Sequence, residues 1–232
     1  MSENFELETY LCITPTKFGI YLLNTKKLKN LYHKEIVFEE TNLINYSNLK
    51  HFLDENIYKI EKLVGKFIDN IFLLIENEKI LNIKIGVKHK NYNTLIQKEY
   101  LQSSITNAKD LFNENYPKEQ IIHIIINKYL IDRKSYSYIK ENFEYNQLNL
   151  VIQFICISKD ITKNLNKVLQ NYQINITKYL DGNYIKNFFE EESEISKMAF
   201  KILNGCNENE VMIVPKNTKK LGFFEKFFQL FS

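Results

Sequence analysis

KLVGKFIDNIFLLI, Lys62 to Ile75, decides the fold. Its first residues end a helical pattern. With Ser47 as N-cap, apolar side chains recur at Leu49, Phe52, Leu53, Ile57, Ile60, Leu63, Val64 and Phe67, the spacing of a helix that buries one face. After the isolated Gly65, IFLLI (Ile71–Ile75) is a short unbroken apolar run, as expected of a strand covered on both faces. Upstream, Tyr10–Thr14, Phe18–Leu23 and Leu31–Phe38 read as a strand meander. Meander, helix and buried strand together predict an α/β layer.

Downstream, a second unit begins near Leu81. Leu95–Tyr100 reads as a strand and Ile105–Phe112 as a helix. QIIHIIINKYLI (Gln120–Ile131) and LNLVIQFICI (Leu148–Ile157) are strand-like, Ile161–Leu169 is helical, and QINITKYL (Gln173–Leu180) returns as a strand. The order βαββαβ predicts a small split-βαβ unit with helices on one face of a sheet. Beyond Asp181–Gly182, Phe188–Leu203 reads as one helix and VMIVP (Val211–Pro215) as a last short strand.

The totals bound the function. The chain has 232 residues, 44% hydrophobic and 25% charged, with a net charge of +3. That is an ordinary globular composition with ample material for a core. No Lys/Arg stripe is interleaved with aromatics, so no nucleic-acid partner is expected. Three scattered cysteines without a CxxC pair fit a reducing compartment. MSENFELE is acidic and lacks the apolar core of a signal peptide, and no apolar run approaches the roughly 18 residues of a bilayer span. A cytoplasmic protein without a transmembrane anchor is the expectation.

Catalytic chemistry finds little to stand on. His33, His51, His89 and His123 have no metal-ligand spacing, and His123, inside an isoleucine strand, is expected to be a hydrogen-bonded core or edge residue. Cys12 and Cys156 sit in apolar strands as core residues. Phosphate-cradling loops need closely spaced glycines, whereas all six here are isolated. Neither a catalytic residue, a metal nor a nucleotide cofactor is expected.

KKLGFFEKFFQLFS, Lys219 to Ser232, is different in kind. On a helix, Leu221, Phe223, Phe224, Phe227, Phe228, Leu230 and Phe231 fill one half of the cylinder, and Gly222, Glu225, Lys226 and Gln229 fill the other. An aromatic face beside Lys219 and Lys220 suits an interfacial helix on anionic lipid, a weak, reversible anchor that gains strength when copies are held together; the alternative is a core helix packing back on the domain.

Several of these stretches resemble the family of the bacterial actin-like cell-division protein FtsA. Glu119–Asp132 and Asn149–Leu180 are similar to its inserted 1C subdomain. Lys62–Ile75 is similar to the helix–Gly–strand element before the insertion, SEISKMAFKIL to the helix before its linker, and KFFQLFS to its membrane-targeting helix. The resemblance implies a truncated actin-like 1A lobe (residues 1–80 and 181–214), an inserted βαββαβ 1C-like subdomain (81–180), and a linker with an amphipathic membrane helix (215–232). The family's phosphate hairpin, of the type Asp-hydrophobic-Gly-Thr/Ser-Thr/Ser-Lys, falls on CITPTK. Thr16 and Lys17 match; Cys12 replaces the acid, Thr14 replaces the glycine, and Pro15 has no N–H to donate.

The function so implied is a non-enzymatic division adaptor, peripheral on the inner face of the membrane. Its partners would be anionic lipid, later division proteins through the 1C-like unit, and further copies of itself. FtsZ stays open as a partner, although the lobe that usually receives it is missing. The alternatives are a pilus-assembly scaffold of the PilM kind and, from another class, an actin-like ATPase.

Overall fold

The computed structural model describes residues 6–39, 43–90, 98–138, 146–189, 192 and 194–211. In chain order the elements are β1 (Leu7–Ile13), β2 (Lys17–Asn24), β3 (Lys29–Val37), α1 (Tyr46–Val64), β4 (Asn70–Ile75), β5 (Leu81–Lys90) and α2 (Lys98–Asn115). There follow β6 (Glu119–Ile131), β7 (Lys134–Tyr136), β8 (Gln147–Ser158), α3 (Lys159–Gln170), β9 (Asn175–Asp181), α4 (Gly182–Phe188) and α5 (Ile195–Leu203). They form two compact units: residues up to Leu81 with Ile157–Cys206, and Asn82–Cys156 with the segment from Asn207 onward.

The first unit is built on a five-stranded sheet in the order β3-β2-β1-β4-β9. β1 and β2 form an antiparallel hairpin from Leu7↔Asn24 to Ile13↔Phe18, and β3 extends it. β4 joins β1 in parallel, and β9 joins β4 in parallel. Alternation along β1 sends Leu11 and Ile13 to one face and Tyr10 and Cys12 to the other. The first face receives α1 through Leu49, Phe52, Leu53, Ile57 and Ile60, all buried, with the Phe18 and Phe52 rings 6.2 Å apart. The second packs Tyr10, Cys12, Tyr21, Leu23, Leu74 and Leu180 against Ile185 of α4 and Ile195, Met198 and Ala199 of α5. A sheet clad on both faces explains why IFLLI has no polar side. The unit's element order is thus meander, helix, buried strand, insertion, returning strand.

The second unit has the sheet order β5-β8-β6-β7. The even-numbered residues of β8 from Leu148 to Cys156 are buried with Ile124 and Ile126 of β6 under Ala108 and Phe112 of α2. The Phe112 and Phe154 rings lie 5.3 Å apart. An amide ladder crosses three strands of this sheet: Asn127 donates to Gln153 at 2.7 Å, and Gln153 donates to Asn82 at 2.8 Å.

Several sequence expectations need correction. The inserted unit does not run from 81 to 180, because α3 and β9 belong to the first unit. Its βαββαβ order gives way to β5-α2-β6-β7-β8. Parallel pairing of β9 with β4 needs a crossover connection, and the insertion with α3 is that crossover. Tyr179, whose hydroxyl donates to the Thr162 carbonyl at 3.1 Å, ties β9 to α3. Conversely, the stretch after α5, assigned above to the lobe up to residue 214, joins the second unit from Asn207. Ile126 N–H donates to the Asn209 carbonyl at 2.9 Å, and Val211 N–H donates to that of Ile124 at 2.8 Å.

Smaller differences are local. Asn45, not Ser47, caps α1, accepting from Asn48 N–H at 3.0 Å. β5 is a strand the sequence reading passed over, and Lys98–Tyr100 opens α2 rather than continuing a strand. The expected helix Phe188–Leu203 shortens to α5, since Phe188 closes α4 and Phe189 and Glu194 are both extended. Of the last expected strand only Val211 is described. The tail Lys219–Ser232, with all its proposed membrane-facing residues, lies outside the described residues. Among the described residues no helix is long and apolar enough to cross a membrane.

Candidate functional site

Open α/β sheets bind ligands beyond the carboxyl ends of their parallel strands. In the first unit that edge collects the β1–β2 turn, the end of β4 and the end of β9. The sequence-derived hairpin residues Cys12, Thr14, Pro15, Thr16 and Lys17 are brought together there. Glu76, Asp181, Gly182 and Lys186 meet them, and the sequence reading did not single out these four as site residues. Glu76 is the first polar residue after IFLLI, and Asp181–Gly182 closes the next strand, a signal that position alone could have supplied.

The turn uses up the groups that would hold a phosphate. Thr14 N–H donates to the Lys17 carbonyl at 2.9 Å, and Thr16 N–H points at Thr14 Oγ1 at 3.3 Å. Thr14 Oγ1 in turn donates to the Lys17 carbonyl at 3.2 Å. Pro15 contributes no donor. Lys17 Nζ lies 2.8 Å from Glu35 Oε1, which the Tyr21 hydroxyl also approaches. Burial alone would raise the Glu35 pKa, but the hydrogen bonds from Lys17 and Tyr21 outweigh it and hold the carboxyl below its ordinary value. The lysine that a phosphate would need is neutralised within the protein.

The other strand ends are closed in the same way. Glu76 N–H donates to the Ile13 carbonyl at 2.9 Å, and its carboxylate pairs with Lys186 at 2.6 Å. Asp181 caps α4 by accepting from Asn183 N–H at 3.0 Å. Glu76 lies so close that a Cβ at Gly182 would stand 2.6 Å from its Cγ. Burial, then the Glu76 charge, pushes the Cys12 thiol up to about 12, so it stays protonated and unreactive at neutral pH. The cleft between Thr14, Phe18, Phe38 and Asn77 encloses about 10 Å³, about the space of one water. Among the described residues no group of three or more His, Cys, Asp or Glu side chains is placed to hold a metal.

His123 proved to be a hydrogen-bonded core residue. It lies in the second unit with its Nδ1 2.7 Å from Glu210 Oε1, and both side chains are buried. Cys12 and Cys156 are likewise buried in strands.

No protein-family model and no curated protein matches the chain. Solved structures do. The PilM–PilN type IV pilus biogenesis complex aligns with a TM-score of 0.48 at 7% identity, covering 78% of this chain and 49% of that one. The cytoplasmic domain of EpsL, an inner-membrane component of the Vibrio cholerae type II secretion system, aligns at 0.42 and 6%, covering 78% and 59%. A Bacteroides thetaiotaomicron protein with an actin-like ATPase fold aligns at 0.36 and 14%, covering 81% and 57%. The chain spans about half to three-fifths of the length of these proteins.

Proposed function

We propose that this chain is a non-enzymatic actin-like scaffold working against the inner face of a membrane, where it holds partner proteins of a larger machine. The observation that carries the reading is the β1–β2 turn. The corner where an actin-like lobe would grip phosphate is filled by Thr14, Pro15 and Thr16, and its lysine is spent on Glu35. The setting we assign is a pilus- or secretion-type assembly, the kind in which PilM and EpsL are found. The aromatic arc from Leu221 to Phe231 supports a peripheral membrane attachment.

A cell-division role is the second reading, favoured by the likeness of Glu119–Asp132 and of the terminal KFFQLFS to the FtsA family. Calorimetry with ATP and ADP in magnesium should show no binding, and micromolar affinity would overturn the non-enzymatic reading. Sedimentation with anionic vesicles should capture the full chain and not one lacking Leu221–Ser232; equal behaviour of the two would end the membrane reading. Fluorescent localisation separates the settings. A band at the septum favours division, and discrete envelope foci that need the tail favour an assembly scaffold.

A further inference from the structure

The second unit's sheet ends on two unlike edges: β7, three residues long, and β5, ten residues long. β5 pairs with β8 on one side. Along the other, none of its backbone N–H and C=O groups has a partner among the described residues. A long edge of this kind is a template for one more strand unless something blunts it. The two rows of side chains on β5 differ. Ile83, Ile85 and Val87 are half-buried and pack on the cluster beneath α2. Alternation puts Asn82, Lys84, Gly86 and Lys88 on the opposite face, and all four are exposed.

Lys84 and Lys88 have no ion pair among the described residues, and neither β5 nor β8 contains an Asp or Glu. The unit's described carboxylates are elsewhere. Glu119, Asp132, Glu208 and Glu210 lie on β6 or beyond it, with β8 between them and β5, and Asp110 and Glu114 stand on α2, across the sheet. Glu78, ahead of the strand, has Lys79 beside it. The amide ladder from Asn127 through Gln153 ends at Asn82, whose Oδ1 accepts from Gln153 at 2.8 Å. The Asn82 Nδ2 group is left to donate beyond the edge, with no acceptor among the described residues. Between the lysines, a Cβ at Gly86 would meet nothing within 4 Å. Glycine weakens a strand interior and often marks the close approach of another backbone.

The lysines also choose among occupants. Two copies of β5 paired antiparallel about Gly86 would set Lys84 against Lys88 of the second copy, and like charges directly opposite are destabilising. A lipid surface would answer the charge but not the unpaired backbone. A strand with carboxylates on one face answers both, and apolar residues on its other face would lengthen the row of Ile83, Ile85 and Val87 under α2.

We propose that the β5 edge receives an extended segment of a partner protein in which Asp or Glu alternates with large apolar residues, paired strand to strand. Such a partner is the kind the scaffold reading calls for, and the site rests on that reading; a failed titration here leaves its nucleotide and vesicle tests as they stand.

The probe is a fluorescein-labelled, amidated peptide Glu-Val-Asp-Val-Glu-Ile-Asp, titrated against the full chain by anisotropy. Saturable binding is expected, about tenfold weaker to the protein with Lys84→Glu and Lys88→Glu, exposed changes that leave the melting curve in place. That double variant should in turn prefer the peptide with Lys at every acidic position. Strand pairing uses the N–H groups of alternate residues. N-methylation of the peptide's odd positions or of its even positions should therefore cost about tenfold in one set and little in the other. Exchange of alternate β5 amide protons should slow in the complex. Five outcomes would overturn the proposal: no saturable binding up to millimolar peptide; equal affinity for the charge-reversed protein; equal binding by the two N-methylated peptides, the mark of a charge contact without pairing; phosphatidylglycerol vesicles, but not peptide, perturbing the β5 amides; or slowed exchange of those amides with rising protein concentration alone, which would assign the edge to a second copy of this chain.

Discussion

Gly182 shows how one residue fixes the strand-end corner. It opens α4 directly below Glu76, whose Cγ would stand 2.6 Å from an added Cβ, and Glu76 cannot swing away without leaving Lys186. Alanine there is favoured by helix propensity but loses on packing. We expect Gly182→Ala to cost about 1–3 kcal/mol, read as a lowered melting temperature, and Glu76→Ala to restore much of it in the double variant. A Gly182→Ala protein as stable as wild type would contradict the close approach. Glu35 gives a pH test at the same scale. Its folded pKa is lowered, so its contribution is present above the unfolded value of about 4.3 and fades as pH falls through the folded one. Glu35→Gln should therefore lower stability at neutral pH and flatten the acid limb of the melting profile. Glu8 works in the opposite sense. Burial raises its pKa, so its contribution belongs to low pH and is lost as pH rises through the folded value.

At the level of elements, the fold was legible wherever a strand or helix buried one side and declared it by period. β1, β2, β4, α1, β6 and β8 fall within a few residues of the sequence reading for that reason. β5 was missed because LNIKIGVKHK is exposed or half-exposed wherever burial is described, and it was passed over as part of a polar transition. The partners of β9 were misassigned because periodicity reports that a strand is buried, not which sheet buries it. The strand-end corner was half legible. CITPTK gave the hairpin, but Glu35, Glu76 and Lys186 are distant in sequence, and only the folded sheet brings them to it. The segment 207–211 was hidden for the same reason, since its attachment to β6 rests on two backbone bonds and the His123–Glu210 contact. Removing one member of such a buried pair deletes a 2.7 Å contact from the interior. We expect Glu210→Ala to destabilise the protein by about 3 kcal/mol, and His123→Phe with Glu210→Leu together to recover part of that loss. Denaturant midpoints of the three variants decide it, and a neutral Glu210→Ala would mean the contact is dispensable.

For the molecule as a whole, the chain crosses between its two units three times: out after β4, back through β8 into α3, and out again after α5. The last crossing is the informative one. β6 has β8 along one side, but on its other side β7 covers only Tyr129–Ile131, and the stretch at Ile124–Ile126 is met by Asn209–Val211. An excised 82–156 fragment would keep its four strands and α2 yet expose that stretch of edge and leave His123 without Glu210. An open edge beside a desolvated histidine is a recipe for weak cooperativity and self-pairing. The fragment should melt broadly and associate as its concentration rises. Adding 207–211 through a Gly/Ser linker should restore a single sharp transition and a monomer, measured by circular dichroism and light scattering. If the bare fragment already melts sharply as a monomer, the segment before the tail is an ornament on the second unit. If the linked form alone does so, residues 207–211 are part of that unit's sheet.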